Sequence, residues 1–407
     1  MSNGTQETEE LSRLHDRAGQ ICGTATLDRD VATVIASPRN AEEISALLQY
    51  CDSEKLSVCP SGSRSKTSWL APAATSLELN TTRMNTLREH PWQDMTCTVE
   101  AGCPWNTLQS ALAQHGQFVA LDPLWPDRAT VGGILAANDS GVLRVHYGGL
   151  RDLVIGMQVV LADGTIARSG GKVVKNVAGY DLGKLFCGSF GTLGVITEVT
   201  FRLHAIPRNA ETVSMHSNSI EPLASLLCST LASQSTFVSM QIRVSPDNAE
   251  LDMKLAASPA VVAKQRELFL GHAQSSGASL VSTDPHVWHA RQDIYSAAPD
   301  RIILKASVLP THLGHSLKRI VGLGGSAVAQ ATGIISACLP VSAVDSIAQV
   351  RSELESSGGS LVLHRLPAGA VIDRWGAPPD GLALMRSVKK QFDPNGILNP
   401  GGFVGGI

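Results

Sequence analysis

Residues Pro60 to Thr67 read Pro-Ser-Gly-Ser-Arg-Ser-Lys-Thr. Small side chains let successive backbone N–H groups turn toward one anion, and serine hydroxyls and Arg64 add further donors. The stretch is not a Walker loop, which needs two glycines with the second directly before the lysine. Here Gly62 is the only glycine and Ser65 precedes Lys66. Two more clusters have the same character: Ala129 to Gly141 (ATVGGILAANDSG) and Gly188 to Thr197 (GSFGTLGVIT). In the second, Thr130 is placed to cap a helix opening with Val131, Gly132 and Gly133, which would offer free N–H groups to an anion. Any one cluster alone also reads as a surface turn. Three in order, with no G-x-G-x-x-G among them, point to a nucleotide cofactor held outside a Rossmann fold.

Other residues could do chemistry. His286/His289 and His312/His315 have H-x-x-H spacing but no third ligand nearby in sequence, so ordinary histidines are expected. His364 and Arg365, in SLVLHRLP, are the candidate catalytic residues: a histidine can take a hydroxyl proton while an arginine pairs with a carboxylate. The competing reading is a polar strand face. Lys175, Asn176 and Tyr180 precede a short helix near the third cluster and read either as cofactor contacts or as a structural turn.

The elements that must position these residues are legible from periodicity. DVATVIASP (30–38) reads as a strand. NAEEISALLQYC (40–51) reads as a helix with Asn40 as cap, Glu43 completing a capping box, and Ile44, Leu47, Leu48 and Cys51 on one face. LSVCP then delivers the 60–67 loop from a short strand. MTCTVEAG (95–102) alternates as a strand, and the helix after it starts at Pro104 and stops at Gly116. LVIGMQVVLA (153–162) turns through Asp163-Gly164 into TIARSG as a hairpin, and LGVITEVTFRLHAIP reads as one long strand ending at Pro207. After Pro207 the chain is richer in Ser and Ala, with alternating strands and helices. The boundaries drawn are 1–206, 207–355, and a segment 356–407 that returns to the first domain.

The chain has 407 residues, 43% hydrophobic and 17% charged, with a formal net charge of −3. That composition suits a folded globular protein and gives no electrostatic reason to expect nucleic acid. The polar, acidic start does not read as a signal or transit peptide, and no run approaches a membrane span. The eight cysteines contain no C-x-x-C pair, so an iron–sulfur cluster is expected only on a partner.

In their order, and together with NVAGYDLGKLFCGSFGTLGVITEVTFRL and the terminal FDPNGILNPG, these segments resemble the FAD-binding domain shared by vanillyl-alcohol oxidase, D-lactate dehydrogenase and para-cresol methylhydroxylase (PCMH). Within that superfamily, KVVKNVAGYDL after ADGTIARSGG most resembles the E-subunit family of bacterial glycolate oxidases. The resemblance covers roughly 37–207 and the last fifteen residues. It implies an α+β fold: a PCMH-type FAD-binding domain of two α/β subdomains, plus a smaller α+β domain with an antiparallel sheet. It implies FAD as cofactor, with Pro60, Ser61, Gly62, Ser63, Arg64 and Ser65 as the pyrophosphate loop. Thr130, Gly132, Gly133, Ser140 and Gly141 would line flavin and diphosphate, and Gly191, Gly194, Val195 and Ile196 would approach with backbone atoms. Asn399 would return the chain end to the flavin. Relatives that attach FAD covalently through this loop use a histidine there; Ser63 and Arg64 stand in its place, so a non-covalent flavin is expected.

The resemblance further implies a glycolate oxidase complex with a sister FAD subunit and an iron–sulfur subunit, acting on a small 2-hydroxy acid. Such a complex belongs in the cytoplasm, with peripheral attachment to the inner membrane. The His-Gly-His-x-Gly-Asp-Gly-Asn signature of catalytic relatives does not occur in the sequence. Three alternatives stand: an FAD subunit of such a complex, a self-sufficient dehydrogenase using His364 and Arg365, and a scaffold without cofactor.

Overall fold

The computed structural model describes residues 2–28, 30–71, 73–171, 183–281 and 284–407; Lys175, Asn176 and Tyr180 lie outside them. From the N-terminus come α1 (Ser2–Cys22), β1 (Ala25–Asp28), β2 (Thr33–Ala36), α2 (Ala41–Glu54), β3 (Val58–Ser61) and β4 (Leu77–Asn80). Next are β5 (Leu87–Glu89), β6 (Thr96–Glu100), α3 (Trp105–Ala113), β7 (Gln117–Phe118) and α4 (Val131–Ala136). The helices α5 (Arg144–Tyr147) and α6 (Leu150–Leu153) precede β8 (Val154–Val160), β9 (Ile166–Gly170), α7 (Gly183–Phe186), β10 (Val195–Arg202) and β11 (His204–Ala205).

Contacts divide the chain into two compact units. The first holds Met1–Asp139, Leu150–Ile206 and Pro378–Ile407; the second holds Ser140–Gly149 and Pro207–Ala377.

In the first unit, one sheet has the order β1-β2-β4-β3, with β2, β4 and β3 parallel and β1 antiparallel to β2. A second, antiparallel sheet has the order β5-β6-β10-β8-β9. α2 forms where its apolar spacing demands: Ile44, Leu47, Leu48 and Cys51 are buried in one core with Val58, Leu77 and Leu79. Each such side chain contributes about 1.5–3 kcal/mol by leaving water. Asn40 Oδ1 caps it by accepting from Glu43 N at 2.8 Å. The reciprocal bond is shifted by one residue: Glu43 Oε2 accepts from Arg39 N at 2.7 Å, because Arg39 also reaches Glu43 through its guanidinium and draws the carboxylate outward.

The hairpin from β8 to β9 turns at Gly164 (φ 84°), with Asp163 Oδ1 accepting from Thr165 N. The expected long strand ending at Pro207 is instead broken at Leu203, where the chain leaves β10 and forms β11 against β7. Leu203 N still donates to Met95 O at 2.7 Å, beyond the last β10–β6 pair, and the next two residues pair with β7 instead.

The second unit continues with β12 (Glu211–Ser217), α8 (Ile220–Ala232), β13 (Ser239–Ser245), β14 (Asn248–Leu255), α9 (Pro259–Ser276) and β15 (Ser279–Val281). After α10 (Ala290–Tyr295) follow β16 (Ile302–Ser307), α11 (Leu313–Val321), β17 (Ser326–Gln330), β18 (Ile334–Leu339), α12 (Val344–Ser356) and β19 (Ser360–Arg365). The strands form one eight-stranded antiparallel sheet, β15-β12-β14-β13-β17-β18-β16-β19. Alternation sends Ile242, Leu251, Leu304 and Ile335 into a core with Leu227, Phe269, Leu317 and Ile347 from the helices. The other face carries a buried polar ladder in which Ser214, Gln241 and Arg243 all donate to Asp252. Among the described residues no helix is long and apolar enough to cross a membrane.

The chain end, with α13 (Leu382–Phe392), belongs to the first unit. Val58 N donates to Ile397 O (2.7 Å) and Asn399 N to Val58 O (2.9 Å), so Leu398 lies beside β3 as a parallel bridge. Asp393 holds this return: its carboxylate accepts from Ile397 N (2.9 Å), Leu398 N (2.8 Å) and Lys389 Nζ. Burial lowers the Lys389 ammonium from the usual lysine range, while the Asp393 carboxylate opposes that shift. Asp393→Ala would leave two buried N–H groups without their acceptor and a largely buried ammonium without its counter-charge. We expect it to reduce stability by about 3–5 kcal/mol in urea unfolding.

Candidate cofactor-binding site

β3 ends at Ser61 and releases the 60–67 loop, whose carbonyls are held from behind. Thr81 Oγ1 donates to Ser61 O (3.0 Å), Asn80 Nδ2 to Gly62 O (3.1 Å) and Thr67 Oγ1 to Arg64 O (3.2 Å). Ser61 Oγ and Arg64 Nε converge on Glu78 Oε1 at 2.5 and 2.6 Å. Arg64 adopts the left-handed conformation (φ 57°). With the carbonyls anchored, the amides face the other way. Among the described residues, the N–H groups of Gly62, Ser63, Arg64 and Ser65 meet no acceptor. Four successive donors of this kind make an anion-binding nest. Ser63 Oγ is likewise buried and has no hydrogen-bond partner.

Thr130 sits against this loop. A Cβ built on Gly62 would stand 2.2 Å from Thr130 Oγ1, so only glycine fits. Thr130 Oγ1 also accepts from Gly133 N at 3.4 Å, the expected cap of α4. The N–H groups at the start of α4 are not free, however. Val131 N donates to Cys103 O (3.0 Å) and Gly132 N to Ala101 O (2.7 Å), because the helix packs end-on against the strand exit at 101–103. At six residues α4 is also too short for a full dipole. The donor-rich element is therefore the loop, and the contribution of α4 is bare backbone.

The third cluster closes the other wall. Gly191 (φ 72°) lies so close to Pro60 and Asn399 that a Cβ would stand 3.2 Å from each. Asn399, itself left-handed (φ 43°), donates through Nδ2 to Phe190 O at 2.7 Å, fastening the chain end to this cluster.

Together these segments line one cleft with about 770 Å³ of atom-free space, part of it open to solvent. Of the residues singled out in the sequence, Pro60 to Ser65, Thr130, Gly132, Gly133, Gly191, Gly194, Val195, Ile196 and Asn399 line it. Ser140 and Gly141 belong to the second unit, as do His364 and Arg365. There His364, 4% exposed, shares a 2.7 Å hydrogen bond between Nδ1 and Tyr295 Oη. The Arg365 guanidinium donates to the carbonyls of Tyr295, Ala297, Ala298 and Arg301.

Sequence reasoning passed over Lys66, Thr81, Ala136, Ala137 and Phe190, which also line the cleft. Lys66 stood inside the first stretch considered, but its partner, Asp139, is more than seventy positions away and gave no local signal. Cys59 borders the cleft too; burial, with Glu78 adding to it, pushes its thiol up to about 11, so it stays protonated and unreactive at neutral pH. His286 and His289 lie with ring centroids 5.6 Å apart, and the described residues contain no group of three metal-ligating side chains.

Residues 32–170 match the family model of the FAD binding domain, and 374–402 that of the C-terminal domain of FAD linked oxidases. The glycolate oxidase subunit GlcD of Bacillus subtilis is 35% identical over 201 residues, covering 49% of this chain and 43% of that protein. The mitochondrial D-2-hydroxyglutarate dehydrogenase of Bos taurus is 27% identical over 424 residues, covering 91% and 77%. The chain thus spans less than half the length of the GlcD relative. Among solved structures, p-cresol methylhydroxylase with substrate bound aligns with a TM-score of 0.75 at 14% identity over 96% of each chain. Alkyldihydroxyacetonephosphate synthase aligns at 0.69 and 18% identity, over 90% of this chain and 75% of that one. At such identities the likeness establishes the fold, a PCMH-type arrangement, and the family models establish FAD as the cofactor.

Gly62→Ala forces a methyl group into Thr130 Oγ1. We expect the purified variant to lose most of its bound flavin, read from the ratio of flavin to protein absorbance, with a melting temperature near that of the parent protein without flavin.

Proposed function

We propose that this chain is an FAD-dependent oxidoreductase subunit that seats FAD in the cleft of its first unit and serves a glycolate oxidase-type complex. The observation that carries the reading is the convergence of three distant small-residue clusters on one cleft with a nest of unpaired amides. The cleft fits the group: Gly62 and Gly191 leave no room for side chains where the walls approach, and Ser63 Oγ and the amides of 62–65 lack partners. Pro60 to Ser65 would hold the diphosphate by backbone donors. Thr130, Gly132, Gly133, Gly191, Gly194, Val195, Ile196 and Asn399 would shape the walls. Flavin supplies a two-electron acceptor; the chain's residues bind and orient it.

The reaction proposed for the complex is glycolate to glyoxylate, in which the α-carbon gives up a hydride and the hydroxyl a proton. That needs a clamped carboxylate and a positioned base, and a base is worth typically ~10²–10⁴-fold. This chain lacks the metal- and base-bearing signature of catalytic relatives. We therefore assign the oxidation to a sister FAD subunit and electron transfer to an iron–sulfur subunit. The place of action is the cytoplasm, peripheral to the inner membrane through the complex.

A second reading, a self-sufficient 2-hydroxy-acid dehydrogenase of D-lactate type, draws on the buried His364–Tyr295 pair. A histidine hydrogen-bonded to a buried phenol is held in one orientation, as a proton-transferring group must be. Arg365 would have to release backbone carbonyls to clamp a carboxylate.

Two measurements test these readings. Acid precipitation should release all the yellow colour into the supernatant; colour kept in the pellet means a covalent flavin. Anaerobic mixing of the holo-protein with glycolate should leave the flavin band unchanged until the sister subunit is added. Prompt bleaching by the chain alone, abolished by His364→Ala, establishes the second reading instead.

A further inference from the structure

Among the described residues lining the cleft, two carry positive charge, and they are held differently. Arg64 turns its Nε to Glu78 with its side chain 48% exposed. Lys66 is 6% exposed, and its Nζ stands 3.2 Å from Asp139 Oδ2, which is fully buried. The indole rings of Trp69 and Trp125 flank the ammonium, with centroids 5.9 and 5.6 Å away. Asp139 is fixed in turn: Oδ2 accepts from Leu124 N at 2.9 Å, and its own N–H donates to Ile134 O at 3.0 Å. The ammonium is thus set in place from several directions.

Stability does not explain this arrangement. Desolvating two ions is costly, and a well-packed apolar pair of the same volume is often neutral or better. A fixed cation at the wall of a cleft has a use when an anion enters it. The nest at 62–65 offers partial charges, whereas a diphosphate brings two full negative ones. An ammonium whose place is set by a carboxylate neighbour acts on an entering anion as a compact point charge.

We propose that Lys66, oriented by Asp139, is a further cofactor-binding residue that sets its charge against the diphosphate of FAD. The inference rests on FAD occupying this cleft. Asp139 acts on the cofactor only through Lys66 and is a positioning residue.

The test uses the full chain stripped of flavin and titrated with FAD, FMN and riboflavin by fluorescence quenching. Lys66→Met should weaken FAD and FMN roughly 10- to 100-fold, the range of one charge-assisted hydrogen bond. Riboflavin, which has no phosphate, should bind the variant as it binds the parent. The single variant leaves Asp139 buried without its partner, so Lys66→Met with Asp139→Leu is the second arm. That double variant should melt above the single one, because no unpaired carboxylate remains buried, yet bind FAD as weakly, with a shallower dependence on salt. Parent-like FAD affinity in the double variant would show the pair to be structural and overturn the inference. Equal weakening of riboflavin would overturn it as well. A parent chain that takes up no FAD at all would instead overturn the cleft assignment, and the inference with it.

Discussion

The contact on which the first unit depends is the approach of the Gly62 backbone to Thr130. A methyl group would be too thick for the gap. Across it meet a loop leaving a mixed sheet and a helix packed against an antiparallel one, and their closeness makes the cleft wall continuous. The same economy recurs at Gly191, where Pro60 and Asn399 press against bare backbone. A cleft built this way is shaped by main-chain geometry, which tolerates little change in spacing and much change in the surrounding side chains.

Local rules made much of this legible. The cap at Asn40, the apolar face of α2 and the turn at Asp163-Gly164 each follow from residues within a few positions of one another, and each is present. Where a distant partner intervenes, local rules fail. Glu43 bonds one residue earlier than a capping box requires because Arg39 competes for it. β10 gives way after Arg202 to β11, whose partner β7 lies more than eighty positions upstream. The N–H groups opening α4 are occupied by carbonyls some thirty residues upstream, which no reading of the helix alone reveals. Lys66 and Asp139 show the limit most sharply, since either residue in isolation reads as a solvated charge.

The second unit obeys a different logic. One face of its sheet is an apolar core under four helices, and the other carries charged and amide side chains that satisfy one another around Asp252. Such a network is worth having only when complete, because an unpaired buried polar group is costly. Arg243, bonded to both Glu250 and Asp252, keeps the Asp252 carboxylate compensated although it is wholly buried. Tyr295 and His364 belong to this interior polar class, which places the histidine in a setting where its orientation is fixed.

The return of Leu398 to the side of β3 also has a bearing on how the protein is made. β3 is an edge strand, and its outer hydrogen bonds at Val58 are completed only by Ile397 and Asn399. On a ribosome, the whole second unit must be synthesised between these partners. At ordinary elongation rates the wait is on the order of tens of seconds. During that interval the nascent first unit presents an unpaired strand edge next to an unfinished cleft wall. The second unit, contiguous apart from one short segment, can complete its own sheet while the first is still waiting, so the order of maturation runs against the order of the sequence.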